Sequence, residues 1–198
     1  MSFSYSDMDQ LILHRWADVV GLIEAHRDTQ DRIEEMIEVV GERVARWARP
    51  LGFETSVETK DAEFRAWKPN WSEKRKDPKV VLALGGFCPL GFRKTDVKHP
   101  YQWVYIDGLS NYRMKEPERI AFARSLRSAL GDEAKSWDAD GVDDADEPLG
   151  RFLTTVKDKD RAVAISSPDT LFAFANEHFL PLFRLADTIE GELNKIGR

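Results

Sequence analysis

The apolar residues of the N-terminal quarter recur at a spacing that fits one face of a helix, and this pattern restricts the fold more than any other feature. Steps of four and three residues connect the members of this stripe, which are Ile12, Trp16, Val19, Ile23, Ile33, Ile37, Val40, Val44 and Trp47. Residues three and four apart lie on the same side of an α-helix. The sequence therefore predicts a helical N-terminal segment over residues 1–49.

A gap in this stripe leaves two alternatives open. The same spacing places the polar residues His26 and Gln30 in the seam. Either residues 7–48 form one helix of about 40 residues, or the chain turns near residues 27–29, where Asp28 or Thr29 is suited to N-capping. A continuous helix would be about 60 Å long, which is large for a small domain, and we therefore favour a break. Pro50 ends the segment because proline disfavours helical geometry in the residue before it.

The middle of the chain, residues 53–156, is predicted to be rich in β-strands. Runs of β-branched and aromatic residues, bounded by turn residues, indicate strands at 53–59, 63–67, 80–84, 102–106 and 152–156. The glycine-rich residues 84–91 are interpreted as a tight turn or bulge. One helix is expected at 116–130, because Pro117 suits its first turn and Gly131 suits its end.

A C-terminal helix is predicted over residues 167–197. Ser167 is a suitable N-cap and Pro168 a suitable first residue, while Pro181 is expected to kink the helix. Short turns join the predicted strands, which favours an α+β fold: a small, mainly antiparallel sheet flanked by long N-terminal and C-terminal helices. The 198 residues, 42% of them hydrophobic, suit a single domain over residues 1–198.

Charge is segregated along the chain. Residues 132–147 contain eight acidic residues and one lysine, and we expect them to form an exposed acidic loop. Residues 68–98 contain eight basic and three acidic residues. The net charge of −6 therefore arises mainly from one segment.

The basic segment supports a nucleic-acid-binding hypothesis. Basic side chains interleaved with aromatic rings are typical of surfaces that follow a phosphate backbone and stack on bases. Between residues 65 and 98 the candidates for this role are Arg65, Lys68, Trp71, Lys74, Arg75, Lys76, Lys79, Arg93 and Lys94.

A third hypothesis is a divergent metal-dependent nuclease. Glu58 and Lys60 match the Glu-x-Lys half of such a site, in which a carboxylate holds Mg²⁺ and the lysine stabilises charge on phosphate. An exposed charged hairpin is the alternative interpretation of the same residues. No other catalytic residues are suggested.

Cofactors and metals are not expected from this sequence. The four histidines are scattered, and the single cysteine, Cys88, has no partner in a zinc-binding or disulfide pattern. The N-terminus has no basic and apolar signal regions, and no apolar run approaches the ~20 residues that span a bilayer. We therefore expect a soluble cytoplasmic protein that does not insert into membranes.

The leading hypothesis is a non-enzymatic accessory protein whose terminal helices associate with a protein partner or with a second copy. Sustained apolar spacing at helical period allows a helix to pack on another chain, where polar seam residues fix the register. The candidate residues for this contact are Trp16, Ile23, Ile33, Ile37, Val40 and Val44.

Overall fold

An antiparallel sheet of five strands organises the part of the chain that this computed structural model describes, residues 6–71, 78–89, 98–106, 115–137 and 146–196. The strands are β1 (Glu54–Glu58), β2 (Glu63–Trp67), β3 (Val80–Gly85), β4 (Tyr101–Ile106) and β5 (Leu149–Phe152). They lie side by side in sequence order, and every neighbouring pair is antiparallel. The predicted antiparallel sheet is confirmed.

Six α-helices accompany the sheet within the same residue ranges. They are α1 (Asp7–His14), α2 (Trp16–Ala48), α3 (Glu116–Leu130), α4 (Asp158–Ala164), α5 (Pro168–Arg184) and α6 (Ala186–Ile196). The predicted α+β class, with long helical segments at both ends of the chain, is therefore confirmed.

One face of the sheet, the inner face, carries the hydrophobic core. Phe64 of β2 lies opposite Leu84 of β3, and Leu82 lies opposite Val104 of β4. All four side chains are at most 1% exposed. Helix α2 contacts β1 and α5, and α5 also contacts β3 and β4. The apolar stripes of α2 and α5 thus cover this face, because alternate strand residues point towards them.

The outer face of the sheet carries polar and aromatic side chains. Arg65 of β2 and Trp103 of β4 both lie opposite Ala83, and Tyr101 lies opposite Gly85. The Tyr101 and Trp103 rings stack with their centroids 4.2 Å apart. A Cβ at position 85 would lie 2.8 Å from Cε2 of Tyr101 and closer still to its Cζ and Oη, so the tyrosine ring covers backbone that only glycine leaves open.

The favoured break at residues 27–29 is wrong, because α2 runs without interruption from Trp16 to Ala48. Its 33 residues make a helix about 50 Å long. The Thr29 hydroxyl donates to the carbonyl of Ala25, 2.8 Å away, so this side chain bonds to the preceding turn and does not cap a new helix. The chain bends instead at Arg15, whose ψ of 24° separates α1 from α2.

The last predicted strand, 152–156, is also misplaced. Of the residues 152–156, only Phe152 belongs to β5. The amide of Thr154 bonds to the Phe152 carbonyl and that of Val156 bonds to the Leu153 carbonyl, which closes a turn after the strand. Helix α4 follows and was not expected. Its start is capped by Asp160, whose carboxylate accepts from the Lys157 amide at 2.9 Å.

Two further segments depart from the sequence interpretation. The predicted C-terminal helix is divided at Leu185, four residues after the expected kink at Pro181, where the Leu185 amide bonds to the Leu182 carbonyl. The start of the expected acidic loop forms a 3₁₀ helix (Gly131–Ser136), and Trp137 after it is buried. Residues 138–145 of that loop lie outside the described residues.

Candidate functional site

An unusual surface within the described residues is the helical arm, defined as α1 and the first half of α2, residues 7–32. No side chain in this range is buried. Large apolar side chains are nevertheless concentrated here, with the following exposed fractions: Met8 63%, Leu11 56%, Ile12 38%, Leu13 54%, Trp16 56%, Leu22 71% and Ile23 53%. Exposed apolar clusters of this kind mark interaction sites on folded proteins.

The arm continues the stripe that packs inside the protein. Ile33, Ile37, Val40 and Val44 are all at most 5% exposed and belong to the hydrophobic core. These four partner-contact candidates are therefore used within the chain. Trp16 and Ile23, on the same side of the same helix, remain open to solvent, so the candidate contact surface narrows to the arm.

The area of the arm can be compared with that of known interfaces. At roughly 150 Å² for each side chain, the low end of the aromatic range, the seven exposed fractions amount to on the order of 600 Å². A standard protein interface buries about 800 Å² on each partner. The seven residues together therefore expose on the order of three quarters of that area, with Leu13 and Leu22 lying off the apolar stripe.

A capping box marks the start of the arm at the N-terminal end of α1. The Ser6 hydroxyl accepts from the Asp9 amide at 3.2 Å, and the Asp9 carboxylate accepts from the Ser6 amide at 2.9 Å. This capping box satisfies the first free amides of α1. The Ser6 hydrogen bonds also lower the pKa of Asp9, which keeps the carboxylate charged next to the positive end of the helix.

The nuclease candidates do not form a metal-binding arrangement. Glu58 lies directly opposite Glu63 across the β1–β2 pair, but the Arg65 guanidinium bonds to both carboxylates, at 3.5 Å and 2.5 Å. A cation of the protein thus already compensates these charges. Lys60 is exposed in the turn between the strands. Within the described ranges, no group of three or more metal-ligating side chains is placed to hold an ion.

Glu63 is the centre of a buried polar network that sequence reasoning missed. Its carboxylate is 6% exposed and accepts from the hydroxyls of Tyr101 at 2.6 Å and Tyr105 at 3.2 Å, in addition to Arg65. Burial, the nearby charge and the hydrogen bond of Glu63 raise the pKa of Tyr101, so its hydroxyl stays a donor. Burial is the largest single influence on the pKa of Arg65 and would lower it, but the hydrogen bond and charge of Glu63, together with the charges of Tyr105 and Glu58, raise this pKa overall. The network is internally satisfied.

The candidates of the basic segment that the structure describes have contacts within the chain. Lys68 donates to Asp187 at 3.1 Å and to Glu190 at 3.4 Å, which raises its pKa despite its partial burial. Trp71 is 2% exposed and cannot stack on a base. Lys79 was proposed for nucleic-acid binding because of its charge. Its backbone amide bonds to the Trp71 carbonyl. The candidates Lys74, Arg75, Lys76, Arg93 and Lys94 lie outside the described residues.

A buried arginine braces the glycine-rich segment. Arg161 of α4 is 1% exposed and donates to the backbone carbonyls of Cys88 and Lys98 and to the Asp158 carboxylate at 2.9 Å. Cys88 is itself buried, and Gly86 adopts a positive φ of 66°. The tight turn predicted here is consistent with that conformation. An arginine between the last predicted strand and the predicted C-terminal helix gave no sequence signal for this role.

The helices were also compared with membrane-spanning segments. Among the residues with described structure, no helix combines the length and the apolarity that crossing a bilayer requires. Comparison with known protein families, with characterised proteins and with solved structures finds no match for this chain.

Proposed function

We propose that this chain is a non-enzymatic interaction protein that self-associates, with the helical arm of one copy packing against the arm of a second copy. The supporting observation is the exposed apolar surface of residues 7–32, on a helix whose other half belongs to the core. Burying such surface is the main favourable term in association.

A second copy is favoured as the occupant by the form of the arm. The amphipathic arm is one uninterrupted helix from Trp16 onwards, and two such helices can interdigitate their apolar side chains along a shared seam. A two-fold arrangement buries the same patch on both copies, so the area that the stripe of one chain contributes is doubled. His26 and Gln30 interrupt the apolar seam and would fix its register, as polar seam residues do.

The residues proposed for nucleic-acid binding and for a nuclease site give less support to those two hypotheses. Arg65 and Lys68 are paired with carboxylates of the same chain, and Trp71 is buried. Phosphate recognition needs cations that can exchange small counterions for a nucleic acid. The nucleic-acid and nuclease hypotheses therefore rank behind self-association.

Sedimentation equilibrium over a wide concentration range tests this proposal. The wild-type mass should rise from 22.7 kDa towards twice that value with concentration. A Trp16→Lys/Ile23→Lys variant should stay at the monomer mass, because two charges would have to be buried in the seam. The matched control is Val163→Lys/Leu180→Lys, which adds the same charge at exposed apolar sites outside the arm and should associate like the wild type.

Either of two results would contradict the proposal. One is a wild-type chain that remains monomeric up to about 200 µM, a concentration well above the range of functional dimers. The other is equal association of the arm variant and the control. Circular dichroism on both variants would establish that neither substitution unfolds the protein, since none of the four side chains is buried.

A further inference from the structure

A groove runs along the free edge of the sheet, between α2 and β1. Two adjoining cavities of about 470 and 450 Å³ form it, and both are lined by Ala45 of α2 and Thr55 of β1. Together they extend along the strand from Gly52 to Thr59. We refer to this feature as the β1 edge groove. It is separate from the helical arm, which ends before the groove begins.

Close packing of the helix on the strand gives the groove its floor. A Cβ at Gly41 of α2 would lie 3.0 Å from Cγ1 of Val57, so the glycine lets the helix pass close over β1. The next groove residue on the same side of α2 is Ala45, which is only partly buried. Small side chains at these positions leave open space beside the strand.

The strand itself offers unused backbone hydrogen-bonding groups. Within the described residues β1 pairs only with β2 and forms one end of the sheet. In an antiparallel pair, the amides and carbonyls of alternate residues point away from the neighbouring strand. Such an edge is a template for one more strand, and proteins recognise extended peptides in this way.

The charges around the groove select the chemistry of its occupant. Glu38 and Glu42 line it from α2 and Glu54 lines it from β1, against the single cation Arg49. Within the described residues, Glu38 and Glu42 form no ion pair and no side-chain hydrogen bond. A second copy of β1 would bring its own glutamates into this acidic site, and like charges in adjacent strands repel.

We propose that the β1 edge groove binds an extended segment of a partner protein that carries alternating lysine or arginine residues, added beside β1 as a sixth strand. The five residues of β1 span about 17 Å, which suits a segment of five or six residues. One set of its side chains would point towards α2, where Glu38 and Glu42 provide the counter-charges. The opposite set would lie on the outer face near Glu54.

Binding of a defined probe tests this inference. The probe is a fluorescein-labelled octapeptide of alternating lysine and valine, followed by fluorescence anisotropy at low salt. It should bind saturably, and a glutamate–valine octapeptide should not. A lysine–valine octapeptide with alternate amides methylated should also fail, because methylation removes the donors that a new strand needs.

Variants of the protein locate the site. A Glu38→Lys/Glu42→Lys variant should bind about tenfold more weakly, as expected for reversing two rim charges. The matched control Glu133→Lys/Glu177→Lys makes the same change of charge at exposed positions outside the groove and should bind like the wild type. The arm variant Trp16→Lys/Ile23→Lys should also bind normally, so failure of the self-association proposal would leave this one intact.

Nuclear magnetic resonance supplies the readout that separates strand addition from simple charge attraction. On peptide binding, alternate backbone amides of β1 should shift and become protected from solvent. Three results would overturn the inference: no saturable binding, binding equal in the groove and control variants, or binding without any change at the β1 amides. Protection of these amides by protein concentration alone would assign the edge to a second copy and would also overturn it.

Discussion

Substitution of Gly85 by alanine should reveal how the outer face is held together. Gly85 has no unusual backbone conformation, and its role is to let the Tyr101 ring lie on the strand. A methyl group there would overlap Cζ and Oη of Tyr101. The ring must move, and its hydroxyl then leaves the buried carboxylate of Glu63, from which it is now 2.6 Å away.

The expected cost follows from two contributions. Overfilling a packed site costs about 1–3 kcal/mol. Losing a hydrogen bond to a charged, buried acceptor costs about 1.5–3 kcal/mol. The smaller unfolded-state entropy of alanine returns about 0.5 kcal/mol. We therefore expect Gly85→Ala to lower the free energy of unfolding by about 3 kcal/mol, or roughly 9 °C in melting temperature for a chain of this size.

A double-mutant cycle in urea assigns this cost to the tyrosine. In a Tyr101→Ala background the added methyl group meets no ring, so Gly85→Ala should then change stability by less than about 0.5 kcal/mol. The difference between the two backgrounds is the coupling between the positions. Equal costs of Gly85→Ala in both backgrounds, or a cost below about 1 kcal/mol in the wild type, would refute this account of the outer face.

Three further expectations concern the buried polar groups. Burial and Glu63 raise the pKa of Tyr101, so the unfolded chain loses this proton near pH 10, before the folded chain does. The free energy of unfolding should therefore fall as the pH rises beyond that point. Tyr101→Phe should remove this part of the pH dependence of the urea midpoint. Burial lowers the pKa of His178, so stability should fall as pH drops below about 6.5, and an unchanged acid slope in His178→Gln would contradict this. Arg161→Met removes the guanidinium that donates to the carbonyls of Cys88 and Lys98 and should cost about 2–4 kcal/mol in urea unfolding. A loss below about 1 kcal/mol would show that Arg161 is not needed for stability.

Sequence patterns located most elements where local signals define them. Helix α3 has the predicted bounds, because Pro117 and Gly131 mark its two ends within the chain itself. The continuity of α2 was misjudged because His26 and Gln30 interrupt an apolar seam, but polar side chains at such positions do not break a helix. Strand β5 was misplaced because its position depends on pairing of Leu149 with Val104, a contact between distant parts of the sequence.

The polar network and the groove were beyond the reach of sequence periodicity. Glu63 and Tyr101 are 38 residues apart, and only the sheet register brings them together. A buried glutamate at the start of a predicted strand looks the same in sequence as an exposed one. Gly41 did give a local signal, since a glycine inside a long helix often marks a close approach, but the strand that it approaches follows only from the fold.

The continuity of α2 also determines how its first half becomes helical. Starting a helix is the unfavourable step, whereas adding residues to an existing end is nearly neutral. The core holds residues 33–48 in helical form and thus supplies a permanent nucleus. A separate peptide of residues 16–32 would have to start its own helix and would be largely unfolded in water. Attached to the core, the same residues extend a helix that already exists, and their helicity propagates outward from the packed end.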